Sequence, residues 1–419
     1  MTQTSTQPVH HRRETCRLCG RRQMQFFLEL GPTPLANSFL KTSDQFAAEA
    51  SYPLDVYFCE NCSLVQLVDV IDPEVLFRDY IYVTGTSDTI AAHNKKYAQT
   101  VVDLLKMGQD DLVVEVASND GSLLRCFKEL NVRTLGVEPA LNIADIARSH
   151  DIETVSEFFN LAVSKQVQES YGPAKAVIGN NVLAHVDDTP NFLQGFKHLL
   201  AEDGLAILEM PYLGHLLDGL EYDTIYHEHL CYFSVNSLIC LCETAGLSLV
   251  RVDHVPVHGG SLRMYAGRPE FYGGHSQTVL DEAEEEQRRG FRSFATYEQF
   301  AKDVAQSRQE LLDLLTNLQA QGKSIVGYGA SAKGNTLLNY CQINTDLMPY
   351  TVDKSPLKVD YLTPGMHIPV RPVSTLLEEQ PDYVVILAWN FADEIMGQQQ
   401  EYHDRGGQFI VPIPELKVV

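Results

Sequence analysis

The sequence is short of positive charge and of long apolar runs. Its 32 lysines and arginines stand against 55 aspartates and glutamates, a formal net charge of -23 at pH 7. Nucleic-acid binding depends on lysine and arginine clustered against phosphates, so no nucleic-acid partner is expected. The longest apolar runs, such as YVVILAW at 383–389, are far too short to span a bilayer, and we expect no membrane contact.

The start of the chain and its cysteine usage both bear on the cellular compartment. The first fifteen residues are polar, without an apolar stretch, which predicts no signal peptide. Four of the nine cysteines form two CxxC pairs, and the others lie in apolar or helical contexts where free thiols are common. This usage favours the reducing cytoplasm over a disulfide framework.

The two cysteine pairs have the spacing of zinc knuckles. Cys16 pairs with Cys19 in CRLCG, and Cys59 pairs with Cys62 in FCENC. Two knuckles supply four thiolates, which closes a tetrahedral zinc site and leaves no position for water. Unrelated buried cysteines or a redox CxxC are the alternatives, but a redox motif would open a helix after a strand. We therefore predict a structural zinc domain at residues 1–75.

Strands and helices alternate from about residue 88 onward. Four segments have the composition of buried parallel strands: LVVEVA (112–117), TLGVE (134–138), AVIGNN (176–181) and LAILEM (205–210). Two later segments joined by HGG predict an antiparallel hairpin: LSLVRVDHVPV (247–257) and SLRMYAG (261–267). Parallel strands followed by a late hairpin are typical of the Rossmann-like sheet of class I methyltransferases, which we place at residues 76–280.

A second α/β unit follows and is preceded by a long acidic helix. In this helix Thr296 and Gln299 have the spacing of a capping box. The helix has one apolar face, formed by Phe300, Val304, Leu311, Leu315 and Leu318. Three strands are predicted after it: SIVGYG (324–329), YTVD (350–353) and YVVILAW. We expect a second Rossmann-like domain at residues 281–419.

The turn after the first strand of the methyltransferase sheet suits a ligand without phosphates. In VVEVASNDGSLL (113–124) small residues let the backbone approach a ligand, but the three glycines that cradle a pyrophosphate are missing. Glu138 ends the next strand, where an acid accepts ribose hydroxyls, although an exposed loop acid is the alternative. S-adenosylmethionine fits both features. The predicted contacts are Glu115, Ala117, Asn119, Glu138, Pro139, Phe158 (or Phe159) stacking on adenine, Asn180 and Asn181.

A run of titratable residues, YHEHLCYFS at 226–234, follows the fifth strand of this sheet. A histidine with a pKa near 6.5 suits a general base at neutral pH, and the adjacent Glu228 is placed to orient it. His227 and His229 are two residues apart and do not share a helical face, which disfavours a catalytic metal. Further groups are expected at the same sheet edge: His185, His258, Tyr80 and Tyr82.

GYGASAKGNT at 327–336 follows a strand and opens a helix. Its glycines and the helix N-terminus suit a phosphate, and Lys333 adds positive charge. Asp353 ends the next strand, as an NAD-binding acid does. Taken alone, the segment is compatible with NAD, with another phosphate ligand or with no ligand.

In chain order these motifs resemble the sugar C-methyltransferases of antibiotic deoxysugar biosynthesis. The motifs span essentially the whole chain: CxxC…CxxC, YxxxTGTS, ExASNDG, GVEP, NNVLAHVDD, YHEHLCYFS, HGGSLR and GYGASAKGNT. The likeness is greatest to C-3′-methyltransferases that act on dTDP-3-amino-4-ketosugars of the tetronitrose type. It implies S-adenosylmethionine as methyl donor and a dTDP-sugar as the small-molecule partner.

The resemblance also implies a mechanism and a set of residues. A base removes the C-3′ proton beside the C-4′ ketone, the ketone oxygen takes up enolate charge, and the carbanion accepts the methyl group in line. His229 is the predicted base and Tyr226 its rival, while Glu228, Tyr80 and His185 contact the sugar. The other predicted substrate contacts are Tyr82, Thr86, Ser87, His258, Arg263, Tyr328, Lys333 and Asn335. The resemblance also implies that the C-terminal domain binds the substrate, with GYGASAKGNT as the platform for the nucleotide diphosphate and Arg263 as a further diphosphate contact.

Other functions remain open at this point. One is a C-methyltransferase for a nucleotide ketosugar without the amine. The others are an NAD-dependent sugar oxidoreductase or epimerase that uses the C-terminal unit, and a zinc-stabilised binding scaffold. A monomer is the working expectation for the oligomeric state.

Overall fold

The computed structural model of the protein describes residues 9–78, 88–255 and 260–419. The chain forms two compact units, each assembled from separate segments. The first unit contains Met1–Gln25, Phe58–Tyr212 and Leu230–Arg292, and the second contains Phe26–Tyr57, Leu213–His229 and Ser293–Val419. Because these units interleave along the chain, the linear boundaries 1–75, 76–280 and 281–419 remain predictions.

The described residues form strands β1 to β19 and helices α1 to α15. The strands are β1 His10–Arg12, β2 Met24–Glu29, β3 Asp55–Cys59, β4 Val65–Leu67, β5 Asp69–Ile71, β6 Leu112–Val116, β7 Arg133–Val137, β8 Thr154–Val155, β9 Ala174–Asn180, β10 Leu200–Pro211, β11 Cys231–Tyr232, β12 Ser248–Val255, β13 Ser261–Gly267, β14 Ile325–Tyr328, β15 Thr351–Asp353, β16 Val370–Pro372, β17 Tyr383–Ile386, β18 Gln408–Val411 and β19 Lys417–Val418. The helices are α1 Pro73–Phe77, α2 Asp88–Leu105, α3 Ser122–Glu129, α4 Leu141–Ser149, α5 Leu161–Tyr171, α6 Thr189–Leu199, α7 Leu213–Asp218, α8 Val235–Ala245, α9 Pro269–Tyr272, α10 Gln277–Arg288, α11 Phe294–Ala320, α12 Ala332–Cys341, α13 Thr375–Glu379, α14 Ala392–Gln398 and α15 Gln400–Asp404. None of the helices in these ranges is long and apolar enough to cross a membrane.

The first unit is built on a seven-stranded sheet of order β12-β13-β10-β9-β6-β7-β8. β13 runs antiparallel to β10 and β12, and the other neighbours are parallel. This arrangement confirms the predicted parallel strands, the late hairpin and the class I methyltransferase fold. β8 is an additional edge strand that the sequence analysis missed, because two residues leave no hydrophobic pattern.

The strands of the first unit are apolar, as is typical of a sheet that is buried on both faces. Every residue of β6 is buried, including Glu115. Val113, Ile178 and Ile207 join Phe127 of α3 in one core cluster. Helices therefore cover the strands, and polar groups of these strands are able to bind a ligand only at the strand ends.

Arg17 anchors the cysteine-bearing segment within the first unit. Its guanidinium is buried, and Nη1 donates to the carbonyl oxygens of Leu67 at 2.6 Å and Leu230 at 2.8 Å. β1 pairs with β5 and β11 pairs with β4, both antiparallel. The predicted zinc module is thus hydrogen-bonded to residues that lie far from it in the sequence.

The second unit contains a six-stranded sheet of order β16-β15-β14-β17-β18-β19. The strands are parallel except for β19, which is antiparallel to β18. Its core includes Val326, Val352, Val384, Ile386 and Phe409. This sheet confirms the predicted second Rossmann-like domain, and its strand order reverses between β14 and β17.

Helix α11 differs from its prediction at one end. Ser293 is the N-cap residue and the helix begins at Phe294, so Thr296 lies inside the first turn. The predicted capping box of Thr296 and Gln299 is wrong, because a capping box requires its first residue at the N-cap. The predicted apolar face is confirmed, since all five of its residues are buried.

Glu286 of α10 holds the start of α8 in the first unit. One carboxylate oxygen accepts from Val235 N at 2.7 Å and from the Tyr212 hydroxyl at 2.9 Å, and the other accepts from Asn236 N at 2.9 Å. Burial raises the pKa of Glu286, and these hydrogen bonds act in the opposite direction. A remote carboxylate therefore satisfies N–H groups that a helix leaves free at its first turn.

We predict that Glu286→Ala destabilises the first unit by about 2 to 4 kcal/mol, because buried donors lose their acceptor. Thermal unfolding followed by circular dichroism measures the loss. Glu284→Ala is the matched control, since Glu284 is exposed on the same helix. Equal midpoints for the two variants would contradict the assigned role of Glu286.

Candidate active site

The four cysteines of the CxxC pairs come together in the first unit. Their sulfur atoms all lie within 4.8 Å of one another, with Cys16 Sγ 3.5 Å from Cys62 Sγ and Cys19 Sγ 3.6 Å from Cys59 Sγ. Sulfurs around a tetrahedral zinc ion are about 3.8 Å apart, given zinc–sulfur bonds of about 2.3 Å. Gln66 Nε2 donates to Cys16 Sγ at 3.1 Å, as expected beside a thiolate ligand. The cluster therefore fits a zinc ion.

The turn after β6 uses a left-handed backbone at three positions. The φ angle is 56° at Ala117, 48° at Asn119 and 72° at Gly121. Glycine adopts this region without strain and asparagine more readily than most residues. The sequence analysis expected small residues here for close approach of a ligand, and the conformation gives a second reason for Asn119 and Gly121.

Glu138, at the end of β7, is hydrogen-bonded to the same turn. Its Oε2 accepts from Asn119 N at 2.8 Å, and its Oε1 accepts from Ala140 N at 2.8 Å. Burial raises the pKa of this carboxyl group, and the two backbone N–H groups act against the rise. Each oxygen keeps further acceptor capacity, so the carboxylate is able to bind two ribose hydroxyls.

Three buried polar atoms near the carboxyl ends of β6 and β9 have no hydrogen-bond partner within the described residues. They are Glu115 Oε2, Ser118 Oγ and Asn180 Oδ1. Burial, followed by the charges of Asp120 and Glu138, raises the pKa of Glu115 well above its ordinary value. Buried polar groups are rarely left unpaired, so these atoms indicate a ligand with polar and cationic groups. S-adenosylmethionine, with its ammonium and sulfonium groups, has this chemistry.

The structure separates the two candidate adenine-stacking rings. Phe159 is buried in the core, edge-on to Phe192 with ring centroids 5.7 Å apart. Phe158 is only half-buried, and the Arg78 guanidinium lies 5.0 Å from its ring centroid. Arg78 also donates to the carbonyl oxygen of Pro139 at 3.1 Å, which brings two predicted cofactor residues beside one side chain. Phe158 is therefore the better candidate.

Arg263, a predicted diphosphate contact, forms a buried ion pair at the end of β10. Its Nε and Nη2 donate to Glu209 Oε2 at 2.8 and 2.6 Å, and its guanidinium lies 3.7 Å from the ring centroid of Tyr97. His93 Nε2 is 3.4 Å from Glu209 Oε1. Burial raises the pKa of Glu209, but the bond from His93 and the charge of Arg263 outweigh it and lower the pKa. The diphosphate role of Arg263 stays a prediction, and sequence reasoning missed His93 and Glu209.

His185 lies in a short turn, Leu183–His185, that follows β9 in the first unit. Its ring is tilted against Phe77, with centroids 5.4 Å apart. Burial lowers the pKa of His185 to about 4, so the ring is neutral near pH 7. A neutral imidazole offers one donor and one acceptor, which suits a hydrogen bond to a substrate better than a fixed charge. Asn181, another predicted residue nearby, donates its N–H to the Glu209 carbonyl oxygen at 2.7 Å.

Tyr226 and His229 form a hydrogen-bonded pair in the second unit. The Tyr226 hydroxyl oxygen lies 2.8 Å from His229 Nε2. On the other side of the ring, His229 Nδ1 lies 2.8 Å from the Thr224 carbonyl oxygen. A carbonyl oxygen only accepts, so the proton of the neutral ring is on Nδ1. Nε2 then accepts the Tyr226 proton, and the pair is prepared for proton transfer.

Glu228 and His227 make different contacts, although they lie in the same motif. The Glu228 carboxylate accepts from Asn37 Nδ2 at 2.6 Å, and His227 Nε2 lies 3.1 Å from the Pro53 carbonyl oxygen. The carbonyl of Thr224, rather than Glu228, fixes the tautomer of His229. A substrate contact remains the prediction for Glu228, while His227 ties the motif to residues before it in the chain.

The glycine-rich segment GYGASAKGNT ends β14, forms the short loop 329–331 and opens α12, as predicted. Tyr328 is buried at the end of β14, and Gly329 has a φ of 104°. Asp353, at the end of β15, accepts from Ala330 N at Oδ2 over 2.7 Å. It therefore fixes this loop in the same way that Glu138 fixes the turn after β6 in the first unit. Ser331 caps α12 by accepting from Gly334 N at 3.1 Å.

Lys333 and Asn335 occupy the first turns of α12. The Lys333 ammonium lies 5.0 Å from the centroid of the Trp389 ring. Asn335 is buried, and its Nδ2 donates to the Ala36 carbonyl oxygen at 2.7 Å. Its Oδ1 has no partner among the residues that the structure describes, which leaves a buried acceptor for a ligand hydroxyl. Nothing in the sequence pointed to Trp389 or Thr224.

Five predicted site residues lie outside the described ranges: Tyr80, Tyr82, Thr86, Ser87 and His258. Their roles stay predictions. Among the described residues, those of the first unit form a constellation around the turn after β6, and those of the second unit form one around Tyr226 and α12.

Comparison with known proteins gives the class of this protein. Residues 16–77 match a zinc binding domain model, residues 91–252 a methyltransferase domain model, and residues 256–414 a C-methyltransferase C-terminal domain model. The curated protein C-methyltransferase NovU of Streptomyces niveus is 37% identical over 406 residues, which cover 97% of each chain.

The chain belongs to the C-methyltransferase family. This confirms the resemblance inferred from the motifs, with S-adenosylmethionine as cofactor and zinc as metal. Membership of this family favours the C-methyltransferase function and excludes the oxidoreductase and scaffold alternatives.

Solved structures resemble only part of the chain. Magnesium protoporphyrin IX methyltransferase of Synechocystis PCC 6803 is 15% identical, over 43% of this chain and 82% of that chain, with a TM-score of 0.32. The PH0226 protein of Pyrococcus horikoshii OT3 is 11% identical, over 45% of this chain and 94% of that chain, with a TM-score of 0.35. Likenesses this weak carry no argument about function.

We predict that the purified protein holds one zinc ion per chain and that Cys59→Ser removes most of it, because a three-sulfur site binds zinc less tightly. Metal analysis by mass spectrometry measures the content. Cys126→Ser is the control, since the Cys126 thiol bonds only the Ser122 carbonyl oxygen among the described residues. Full zinc retention by Cys59→Ser would exclude the four-cysteine site.

We predict that Glu138→Gln weakens S-adenosylhomocysteine binding by about tenfold to a hundredfold. Glutamine keeps one side-chain oxygen, so one of the N–H groups of Asn119 and Ala140 loses its acceptor, and the NH₂ group cannot accept a ribose hydroxyl. Isothermal titration calorimetry measures the affinity. Asp353→Asn, the equivalent change in the second unit, is the control and should leave this affinity intact. A loss of equal size in both variants would contradict a specific role for Glu138.

Proposed function

We propose that this C-methyltransferase methylates C-3′ of a dTDP-linked 3-amino-4-keto-deoxysugar. The observation that carries the proposal is the Tyr226–His229 pair, which is arranged for proton transfer in a motif expected to act on a sugar. C-methylation needs such a pair, because a carbon atom beside a ketone becomes a nucleophile only after it loses a proton.

The residues of the pair have complementary parts in the removal of this proton. With its proton on Nδ1, His229 is able to take the Tyr226 hydroxyl proton at Nε2. The phenolic oxygen then accepts the C-3′ proton, or His229 accepts that proton directly. In either case one C–H bond breaks, one proton resides on the pair, and the ketone oxygen takes up the electron pair as an enolate. This makes Tyr226 and His229 a single acid–base unit.

The cofactor and the metal have separate parts in the proposal. When bound, S-adenosylmethionine supplies an electrophilic methyl group for the carbanion. Glu138 and Asn119 would hold its ribose, and Glu115 and Asn180 would hold its charged and polar groups, since each has a buried oxygen without a partner in the described ranges. The zinc ion stabilises the cysteine-bearing segment and takes no part in proton transfer, because four sulfurs leave no open coordination position.

The loop before α12 is proposed to bind the nucleotide diphosphate. The positive end of the α12 helix dipole favours an anion, and Lys333 adds a positive charge. Asn335 and Tyr328 would then line the same site. A sugar with a hydroxyl in place of the amine at C-3′ meets the same requirements and is the alternative substrate.

Incubation with labelled S-adenosylmethionine and a panel of dTDP-ketosugars tests the substrate. We expect label in carbon with the 3-amino-4-keto sugar and with no dTDP-sugar that lacks the ketone, since the ketone is needed to stabilise the carbanion. Transfer to a hydroxyl or amine of the sugar instead of carbon would refute the proposal.

We predict that His229→Asn and Tyr226→Phe each lower the rate of methyl transfer by about a hundredfold to ten-thousandfold, the range of general acid–base catalysis. Steady-state kinetics measure the rate, and calorimetry should show unchanged affinity for S-adenosylhomocysteine. His403→Asn, on the surface of the second unit, is the matched control and should retain normal turnover. Near-normal turnover of His229→Asn would remove this residue from the base role.

A further inference from the structure

Trp389 is the only tryptophan of the chain and lies at the ligand-binding edge of the second sheet. It opens a short turn, Trp389–Phe391, just after β17. β17 is the parallel neighbour of β14, on the side where the strand order reverses. In open α/β sheets ligands bind beyond the strand ends at such a reversal. The position of the indole is therefore one at which a ligand is expected.

A buried carboxylate holds the indole in place. Trp389 Nε1 donates to Asp223 Oδ2 at 2.6 Å, and Asp223 is fully buried. Burial raises the pKa of Asp223, while the charge of Lys333 and the bond from Trp389 act to lower it. A carboxylate is costly to bury, so its use as the hydrogen-bond acceptor of a half-buried indole suggests a function.

The same indole lies beside the lysine proposed to bind the diphosphate. The Lys333 ammonium is 5.0 Å from the ring centroid, a cation–π distance. A group attached to a diphosphate at Lys333 would thus be within reach of the aromatic face. In a nucleotide sugar that group is either the nucleoside or the hexose.

The chain segment that anchors the indole favours the hexose. Asp223 precedes Thr224, which fixes the tautomer of His229, and lies three residues before Tyr226. One short segment thus positions both the indole and the acid–base pair proposed to act on the sugar. The nucleoside would extend away from this segment, because the diphosphate separates it from the hexose.

We propose that Trp389 is a substrate-binding residue whose indole stacks on the hexose ring of the nucleotide sugar, with Asp223 as its positioning residue. The inference rests on the proposed nucleotide-sugar substrate and specifies which part of it the second unit recognises. Aromatic rings gain favourable contact with the C–H face of a pyranose, and a fixed ring loses little entropy in doing so.

Intrinsic fluorescence tests the inference directly, because the chain has one tryptophan. The full-length protein is titrated with dTDP-glucose and with dTDP, and calorimetry measures binding of both in parallel. We expect dTDP-glucose to change the tryptophan emission by at least twice as much as dTDP does. Equal changes with both ligands, or binding without any change, would overturn the hexose assignment.

Variants give a second and independent readout. Trp389→Ala should weaken dTDP-glucose binding about fivefold to tenfold while dTDP and S-adenosylhomocysteine affinities stay within twofold, which also shows that the variant is folded. Phe391→Ala, at an exposed position of the same turn, is the control and should bind both nucleotides normally. Trp389→Phe keeps an aromatic face and should lose less affinity than Trp389→Ala.

Substitutions of Asp223 separate positioning from charge. Asp223→Asn keeps an oxygen that accepts the indole N–H and should retain most of the preference for dTDP-glucose over dTDP, whereas Asp223→Ala should lose it. If Trp389→Ala binds dTDP-glucose normally, the inference fails and the proposed function stands. If calorimetry detects neither nucleotide with the intact protein, the proposed function fails and the inference with it.

Discussion

A carboxylate that accepts a hydrogen bond from the backbone of a neighbouring loop is the interaction on which the carboxyl edges of both Rossmann-like sheets depend. In the first unit Glu138 accepts the N–H of Asn119, and in the second Asp353 accepts the N–H of Ala330. Each acid ends the second strand of its sheet, and each loop follows the first strand. The parallel pairing of these strands brings the two groups together, because neighbouring strand ends share one edge. Each loop is thereby fixed at the carboxyl edge of its sheet.

The two units differ in the polar groups that they offer to ligands. In the first unit, buried oxygens of Glu115 and Asn180 have no partners within the part of the chain that the structure describes, which suits a cationic and polar cofactor. The second unit contains the Tyr226–His229 pair, in which the Thr224 carbonyl determines the tautomer. The acid–base pair that we propose for proton transfer and the proposed cofactor contacts therefore have different local environments, and we expect that a substitution can affect one without the other.

Much of the fold and part of the candidate site were predictable because they depend on local pattern. Buried strands such as β6 and β9 are continuous apolar segments, and the two-residue spacing of Cys16 and Cys19 is characteristic of zinc ligands. The capping box at Thr296 was wrong because the helix begins before it, and helix ends are weakly encoded in sequence. The roles of Thr224 and Trp389 were not visible, since one acts through its backbone carbonyl and the other through a partner far along the chain.

The sequence by itself determined the kinds of chemistry available: four thiolates for zinc, a turn suited to a ligand without phosphates, and a histidine motif of residue types that suit proton transfer. The family and the central strands of both sheets also followed from it, because periodicity and motif order are properties of the linear chain. Only the tertiary structure decided which groups are partners. It assigned Asn37 to Glu228, Asp223 to Trp389 and Glu209 to Arg263, and it interleaved the segments of the two units. Partners so distant in sequence are selected by the packing of whole elements, which no local pattern records.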